Sequence, residues 1–251
     1  MGNLQFEFDN SYAKLPERFY TRIIPTKVKK PGLVIINEPL ANSLALNPDT
    51  LGSEMGAEIL AGNHVPDGAE PLAMAYAGHQ FGGFVPQLGD GRAILLGEII
   101  DCYGARQDIH LKGAGRTPYS RGGDGRAPLG PVLREYIVSC FMNMLGIPTT
   151  RSLAVVTTGE KVFREDVLPG AILTRVAESH LRIGTFEYFA VRRDLEALKI
   201  LTMFAIERHF PGTVGDSNPA KTLLECVLKR QSALVAKWMS VGFVHGVMNT
   251  D

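Results

Sequence analysis

The chain has 251 residues, of which 45% are hydrophobic and 21% are charged. That length and composition are sufficient for a substantial hydrophobic core in one large domain or in two lobes. Lysine plus arginine and aspartate plus glutamate both number 26, so net charge gives no reason to expect binding to nucleic acid or to a membrane surface. We therefore expect no nucleic-acid partner and no membrane partner.

Cysteine usage and the amino-terminal residues favour the cytoplasm. Cys102, Cys140 and Cys226 are widely separated and form no CxxC motif, which suits a reducing compartment better than a disulfide framework. No apolar run approaches the ~20 residues of a membrane span, and residues 1–12 show no basic region followed by an apolar segment. With no visible transit peptide either, we expect a bacterial cytoplasmic protein.

Hydrophobic periodicity and turn residues predict strands and loops in the middle of the chain and helices in its carboxy-terminal part. The predicted strands are residues 32–36, 93–100, 108–112, 152–158 and 171–176. The predicted helices are residues 37–46, 48–61, 70–77, 127–145, 185–191, 194–209 and 219–241. Residues 78–92 have the glycine density of a loop shaped around a ligand or around tight turns. Together these elements predict a two-lobed α+β architecture.

The segment HLKGAGRTPYSRGGDGRAPLGPVLREY, residues 110–136, carries the strongest functional signal. Lys112 ends a predicted strand, and Glu135 follows in the predicted helix 127–145, on the side opposite an apolar stripe. A strand lysine held by a helix glutamate can present its ammonium group to phosphate oxygens, as in protein kinases. Taken separately, each residue is weak evidence, because a lysine that ends a strand and a helix glutamate opposite an apolar stripe are usually solvated.

Two glycine-rich segments are candidates for phosphate contacts. In LGDGR, residues 88–92, Gly89 and Gly91 would let backbone N–H groups approach phosphate, and Arg92 could add a bidentate contact. The alternative is a β-turn with a solvated arginine, and the segment matches neither GxGxxG nor GxxxxGK[ST]. In RGGDGR, residues 121–126, Asp124 and Gly125 could contact a nucleotide or could simply close a tight turn.

Three further charged residues are candidates. Arg175 ends a predicted strand and Arg182 follows in ESHLRIG, so the pair could bracket a terminal phosphate or could lie on the surface, paired with acids such as Glu178. Asp251 follows a predicted long helix and could accept a proton from a hydroxyl nucleophile. The histidines form no HExxH motif and no cluster with cysteine, so we expect no metal site within this chain.

Five stretches, in this order, resemble the selenoprotein O family of protein adenylyltransferases, which have a protein-kinase-like fold. They are YAGHQFGGFVPQLGDGRAILLGEI, HLKGAGRTPYSRGGDGRAPLGPVLREY, TTGE, ILTRVAESHLRIGTFEYFA and GFVHGVMNTD. The resemblance implies ATP bound in an orientation flipped relative to ordinary kinases, with transfer of AMP to Ser, Thr or Tyr hydroxyls of proteins and release of pyrophosphate. It also implies transfer of UMP from UTP with manganese in bacterial members.

The resemblance also implies a role for each candidate residue. Lys112 resembles the nucleotide lysine, Glu135 its ion-pair partner and Asp251 the catalytic base. Arg175 and Arg182 resemble the pair that holds the inward-pointing γ-phosphate. The remaining positions that match nucleotide-binding residues are Gly89, Gly91, Arg92, Asp124 and Gly125.

The resemblance further implies that this chain is an amino-terminal fragment. Residues 1–183 would form a kinase-like N-lobe with an amino-terminal extension, and residues 184–251 the first helices of a C-lobe ending in the catalytic loop. Ligands for Mg²⁺ or Mn²⁺ are expected beyond residue 251, so we expect the fragment to bind nucleotide weakly and to be nearly inactive. Two alternatives stay open, an ordinary ATP-dependent phosphotransferase and a catalytically silent nucleotide-binding scaffold.

Overall fold

A computed structural model of the protein describes residues 6–251. Within that range the chain forms ten β-strands and seven α-helices, so the α+β class expected from the sequence is confirmed. The strands are β1 Tyr20–Arg22, β2 Gly32–Ile36, β3 Leu72–Met74, β4 Gly78–Gln80, β5 Gly83–Val85, β6 Ala93–Ile100, β7 Arg106–Lys112, β8 Ala127–Pro128, β9 Arg151–Phe163 and β10 Val167–Ala177. The helices are α1 Glu38–Ser43, α2 Pro48–Leu51, α3 Glu54–Leu60, α4 Leu129–Met144, α5 Ile183–Val191, α6 Leu195–His209 and α7 Pro219–Ser240.

The chain divides into two compact units. The first contains residues up to Ala75, Gly89–Asn143 and Thr149–His180, and the second contains Tyr76–Leu88, Met144–Pro148 and Leu181–Asp251. The predicted kinase-like lobes, 1–183 and 184–251, stay predictions, and the first five residues of that range lie outside the described part of the chain.

The first unit is built around an antiparallel sheet with strand order β1-β3-β6-β7-β10-β9-β2, while β8 pairs with β10. Because successive side chains point to opposite faces of a strand, each face is covered by different elements. One face carries Leu111, Ile172 and Val156 into a buried cluster with residues of α1 and α3. The other face carries Val155 and Leu173, against which α4 packs.

Helix α4 contacts the sheet through only part of its apolar surface. Val132 and Tyr136 are buried against the sheet. The apolar residues of α4 also include Ile137 and Phe141, whose side chains are 64% and 57% exposed. Glu135 is half-buried on this helix.

The predicted helix 48–61 is divided into α2 and α3 by local capping. The Asn47 side chain accepts hydrogen bonds from the backbone N–H groups of Asp49 and Thr50, and α2 ends at Leu51. The Ser53 hydroxyl then accepts from Gly56 N, which begins α3. The two side-chain caps accept hydrogen bonds from backbone N–H groups that would donate to backbone carbonyl groups if the helix were continuous.

The helix predicted for residues 70–77 was wrong, because residues 72–74 form strand β3. Leu72, Ala73 and Met74 are all buried, and β3 pairs with β1 on one side and with β6 on the other. Alanine, leucine and methionine favour helices in isolation, but tertiary pairing outweighs a weak local propensity.

The second unit contains the β4–β5 hairpin and helices α5, α6 and α7. Its buried cluster is formed by Ala205, Ile206 and Leu223, with Leu181 and Phe186 packed against them. Asp194 and Asn218 cap α6 and α7 by accepting hydrogen bonds from backbone N–H groups three residues later. None of the helices within residues 6–251 has the length and apolar character that crossing a membrane requires.

Replacing Leu111 by alanine tests how much of the stability depends on the central sheet. Leu111 is fully buried in the cluster beneath α1 and α3, so Leu111→Ala should lower the free energy of unfolding by about 2–5 kcal/mol. Val34, which is 43% exposed on β2, provides the control, and Val34→Ala should change it by about 0.5 kcal/mol or less. Denaturant titration measures both; equal losses would contradict this description of the core.

Candidate functional site

Three charged side chains meet on the face of the sheet that α4 covers. Lys112 is the last residue of β7 and lies opposite Leu173, while Arg175 lies opposite His110 on the neighbouring strand. Directly opposite residues of an antiparallel pair share a face, so Lys112 and Arg175 project toward α4. There Glu135 accepts a hydrogen bond from Lys112 Nζ through Oε2 and one from Arg175 Nε, at 2.5 Å, through Oε1.

Burial and unequal charge shift the pKa values of this cluster. Burial alone would raise the pKa of Glu135, but Arg175 and then Lys112 outweigh burial and lower it to about 2. The pKa of Lys112 is lowered to about 8, chiefly by burial and then by the positive charge of Arg175, while Glu135 opposes both effects. The carboxylate is therefore firmly ionised, whereas the ammonium group loses its proton more readily than that of an ordinary lysine.

A third cation lies beside this pair. Arg92 immediately precedes β6, next to Ala93, which pairs with Lys112, and its charge further lowers the pKa of Lys112. Within residues 6–251 the Arg92 side chain has no hydrogen-bond or ion-pair partner, and the two Nη groups of Arg175 have none either. Two cations thus share one carboxylate and a third lies beside Lys112, which is an arrangement that favours binding of an anion.

The glycine loop before β6 is shaped by a tyrosine. Gly89 has φ +70°, and a Cβ atom there would lie 2.3 Å from Tyr119 Cγ. A Cβ on Gly91 would lie 2.7 Å from the Tyr119 carbonyl oxygen. Any side chain at either position would therefore collide with the turn that contains Tyr119. The turn that the sequence left as an alternative is present, and the expected phosphate contact stays a prediction.

The second glycine-rich segment is held by hydrogen bonds within the chain. Asp124 accepts hydrogen bonds from both Nη groups of Arg164, at 2.8 and 2.9 Å, and from Arg126 N at 2.9 Å. The bonds from Arg164 lower the pKa of Asp124. Gly125 O accepts from Gly115 N at 3.1 Å. These contacts account for the tight turn, and the predicted contacts of Asp124 and Gly125 with a nucleotide stay predictions.

Arg182 and Asp251 belong to the second unit, where both contact the segment that starts at Tyr76. The Arg182 guanidinium lies over the Tyr76 ring, 4.6 Å from its centroid. Asp251 packs on Gly78, whose missing side chain leaves the space: a Cβ there would lie 2.5 Å from Asp251 Cβ. Thr250 O accepts from Gly184 N at 2.6 Å. The second unit thus brings these two predicted residues to one short segment, and their roles stay predictions.

Sequence reasoning missed a buried polar cluster on the same strand as Lys112. His110 and His180 are stacked with ring centroids 4.1 Å apart. His110 Nε2 lies 3.3 Å from Asp90 Oδ2, and His180 Nδ1 lies 3.1 Å from Asp108 Oδ2. Burial, and then the neighbouring His180, lower the pKa of His110 to about 4, so it is neutral at physiological pH. The spacing of Asp108, His110 and Lys112 by two residues could have revealed it, since it places all three on one face.

The described part of the chain offers no group of three or more His, Cys, Asp or Glu side chains that could hold a metal ion. The expected ligands for Mg²⁺ or Mn²⁺ beyond residue 251 remain a prediction. Two histidines that each contact a carboxylate could suggest a metal pair. Their rings are stacked only 19° from parallel, so in-plane lone pairs on the two rings cannot converge on one ion.

Comparison with known proteins identifies the family. The sequence model of the family described as "Protein adenylyltransferase SelO" matches residues 3–251. The chain belongs to this family. This confirms the resemblance inferred from the five sequence stretches.

Among its relatives are proteins named "Protein nucleotidyltransferase YdiU". That of Rhodopseudomonas palustris (strain BisB18) is 63% identical over 248 residues, which cover 99% of this chain and 50% of the relative. Those of Bradyrhizobium sp. (strain BTAi1) and Alkalilimnicola ehrlichii are each 62% identical, covering 99% and 97% of this chain and 50% and 49% of the relatives. The chain therefore spans about half the length of the curated relatives it matches.

The charge balance of the cluster predicts opposite effects of two substitutions on the pKa of Lys112. Glu135→Gln removes the neighbouring negative charge and should lower that pKa below about 8. Arg175→Met removes a repelling cation and should raise it. The titration of Lys112 can be followed by NMR of its side-chain nitrogen. Arg164→Met, which removes an exposed guanidinium paired with Asp124, should leave the pKa unchanged. Shifts of the same sign in the first two variants would contradict the arrangement.

Proposed function

We propose that this chain forms the nucleotide-binding part of a protein adenylyltransferase that transfers AMP from ATP to Ser, Thr or Tyr hydroxyls of proteins. Family membership supports nucleotidyl transfer as the reaction class. Because the chain spans half the length of its relatives, the activity, substrates and partners are assigned to the full-length protein. The same proposal includes transfer of UMP from UTP with manganese, the kinase-like two-lobed fold and a bacterial cytoplasmic location.

The observation that carries the proposal is the excess of positive charge around Glu135. Lys112 and Arg175 both bond the single carboxylate of Glu135, and the pKa of Lys112 is lowered by burial, by Arg175 and, to a smaller extent, by Arg92. A polyphosphate would supply negative charge together with acceptors for the unbonded Nη groups of Arg175. Nucleoside triphosphates are the substrates of this reaction class, so the cluster fits the triphosphate part of the substrate.

The remaining roles follow from the resemblance. We assign Arg175 and Arg182 to the γ-phosphate and the backbone around Gly89 and Gly91 to phosphate contacts. Asp124 and Gly125 are assigned to nucleotide contacts. A buried γ-phosphate needs compensating cations, because an unpaired buried charge is very costly. With that phosphate held inward, the α-phosphate is left for the incoming hydroxyl, which makes adenylylation the accessible reaction.

In the proposed reaction Asp251 acts as the general base. It accepts the proton of the acceptor hydroxyl, whose oxygen attacks the α-phosphorus of ATP. The bond from the α-phosphorus to the bridging oxygen breaks, and pyrophosphate leaves with the negative charge of that oxygen. Asp251 Oδ1 is buried and has no hydrogen-bond partner within residues 6–251, so one carboxylate oxygen is available to accept a proton. Bound Mg²⁺ or Mn²⁺ would offset phosphate charge.

ATP labelled separately at the α- and γ-phosphates tests the reaction. We expect the full-length protein to transfer only the α-label to protein acceptors, while Asp251→Asn lowers that transfer by about 10²-fold or more without abolishing ATP binding. Transfer of the γ-label would contradict adenylylation and support the alternative phosphotransferase. Unchanged transfer by Asp251→Asn would contradict the assigned base. The 251-residue chain, assayed in parallel, is expected to be nearly inactive.

The affinity for ATP should depend on pH through Lys112. The ammonium group has a pKa of about 8 in the free protein, and a bound polyphosphate raises that pKa because it stabilises the charged form. Affinity is therefore highest below pH 8, falls as the pH rises through about 8, and levels off above the raised pKa of the complex. Calorimetric titration from pH 7 to 10 measures this fall. Lys112→Met should bind ATP more weakly and without this pH dependence; a pH-independent wild-type affinity would contradict the role of Lys112.

A further inference from the structure

Asp90, which lies between Gly89 and Gly91 in the glycine loop, is anchored to the sheet by hydrogen bonds. Asp90 is buried, and its Oδ2 atom accepts a hydrogen bond from Met74 N at 3.1 Å and lies 3.3 Å from His110 Nε2. Its own N–H donates to Met74 O at 2.9 Å. Because His110 lies two residues before Lys112 on β7, these contacts tie the glycine loop to the strand that carries the nucleotide lysine.

The opposite side of the loop is held by the turn of residues 117–120. Thr117 Oγ1 donates a hydrogen bond to Asp90 O at 2.6 Å and accepts one from Tyr119 N at 3.1 Å. Ser120 Oγ donates to Gly91 O at 2.5 Å and accepts from Thr117 N at 2.8 Å. Two consecutive carbonyl groups of the glycine loop are therefore bonded to hydroxyl groups of one turn.

The orientation of the Gly91 carbonyl group determines the direction of the next backbone N–H group, that of Arg92. In a trans peptide the C=O and the following N–H point in opposite directions. With Gly91 O directed at Ser120, the N–H of Arg92 points away from the turn, and within residues 6–251 it has no hydrogen-bond partner. Arg92 therefore offers two kinds of donor next to Lys112, its backbone N–H group and its unpaired side chain.

We propose that Thr117 and Ser120 are positioning residues that orient the backbone of the glycine loop, so that the N–H of Arg92 donates to a phosphate oxygen of the nucleotide. This inference rests on the proposed function and extends it to residues that do not contact the nucleotide. Tyr119 supports the same arrangement, since its ring occupies the space beside Gly89 and its hydroxyl lies 3.2 Å from Thr21 Oγ1. The turn therefore holds the loop in its binding geometry before the nucleotide arrives, which reduces the loss of entropy on binding.

Substitutions that remove single hydroxyl groups test this role in the full-length protein. Thr117→Val keeps the shape of the side chain but removes the bond to Asp90 O, and Ser120→Ala removes the bond to Gly91 O. Each should raise the Kd for ATP with magnesium by about tenfold, because misplaced donors lose their geometry. Thr117→Ser keeps the hydroxyl and should restore the wild-type Kd.

Thr158→Val is the matched control. Thr158 is a buried threonine on β9 whose hydroxyl accepts from Glu160 N at 3.2 Å, and it has no bond to the glycine loop. It should lower the unfolding midpoint about as much as Thr117→Val while leaving the Kd for ATP unchanged. Equal weakening of ATP binding by both variants, or an unchanged Kd in Thr117→Val, would overturn the inference. If Thr117→Val does not fold, the Kd of Ser120→Ala decides in the same way.

Failure of the proposed ATP site, on which this inference rests, gives a different result. In that case the wild-type protein does not bind ATP, or Lys112→Met binds ATP as tightly as wild type does. A third outcome is that the wild-type protein binds ATP, that Lys112→Met weakens this binding, and that Thr117→Val and Ser120→Ala bind ATP as tightly as wild type does. That outcome refutes only the positioning role.

Discussion

A single carboxylate between two cations determines the properties of the candidate site. Glu135 bonds Lys112 and Arg175 at the same time, and it can neutralise only one of them. Neither cation can move away freely, because both belong to paired strands of the central sheet. The carboxylate is fixed in turn by the packing of α4 through Val132 and Tyr136. Excess positive charge is therefore built into the rigid part of the first unit, where a ligand can use it.

The arrangement also explains why this region departs from the usual rules for a stable core. Buried polar groups normally have partners, yet His110 Nδ1 and His180 Nε2 have none within residues 6–251. Positive φ values also occur at non-glycine residues beside the loops, as at Arg121, with φ +49°. Departures of this kind are expected where a site is held for a ligand rather than for stability. The apolar cluster on the other face of the sheet provides the stability that tolerates them.

The sequence predicted the elements of this site better than their connections. Strand β6 and the ends of β7 and α4 were predicted closely, because alternating and helical periodicities are local properties. The pairing of Lys112 with Glu135 was also predicted, from a lysine that ends a strand and a glutamate in the helix that follows, as in protein kinases. That Arg175 joins them depends on the register of β10 against β7, a non-local property that no local pattern specifies. The same limit explains the error at residues 70–77, where pairing with β1 and β6 replaced a helix.

The lowered pKa of Lys112, which results from burial first and from Arg175 second, indicates what a bound anion can gain. A fall in the pKa of Lys112 from 10.5 to about 8 corresponds to roughly 3 kcal/mol of unfavourable free energy for the charged form. A polyphosphate that restores the ordinary pKa recovers that amount, which is equivalent to about 10²-fold in affinity. Backbone donors add specificity rather than charge, because they require acceptors at fixed positions. In the proposed function, the cations therefore supply the strength of anion binding, and the glycine loop determines where each phosphate lies.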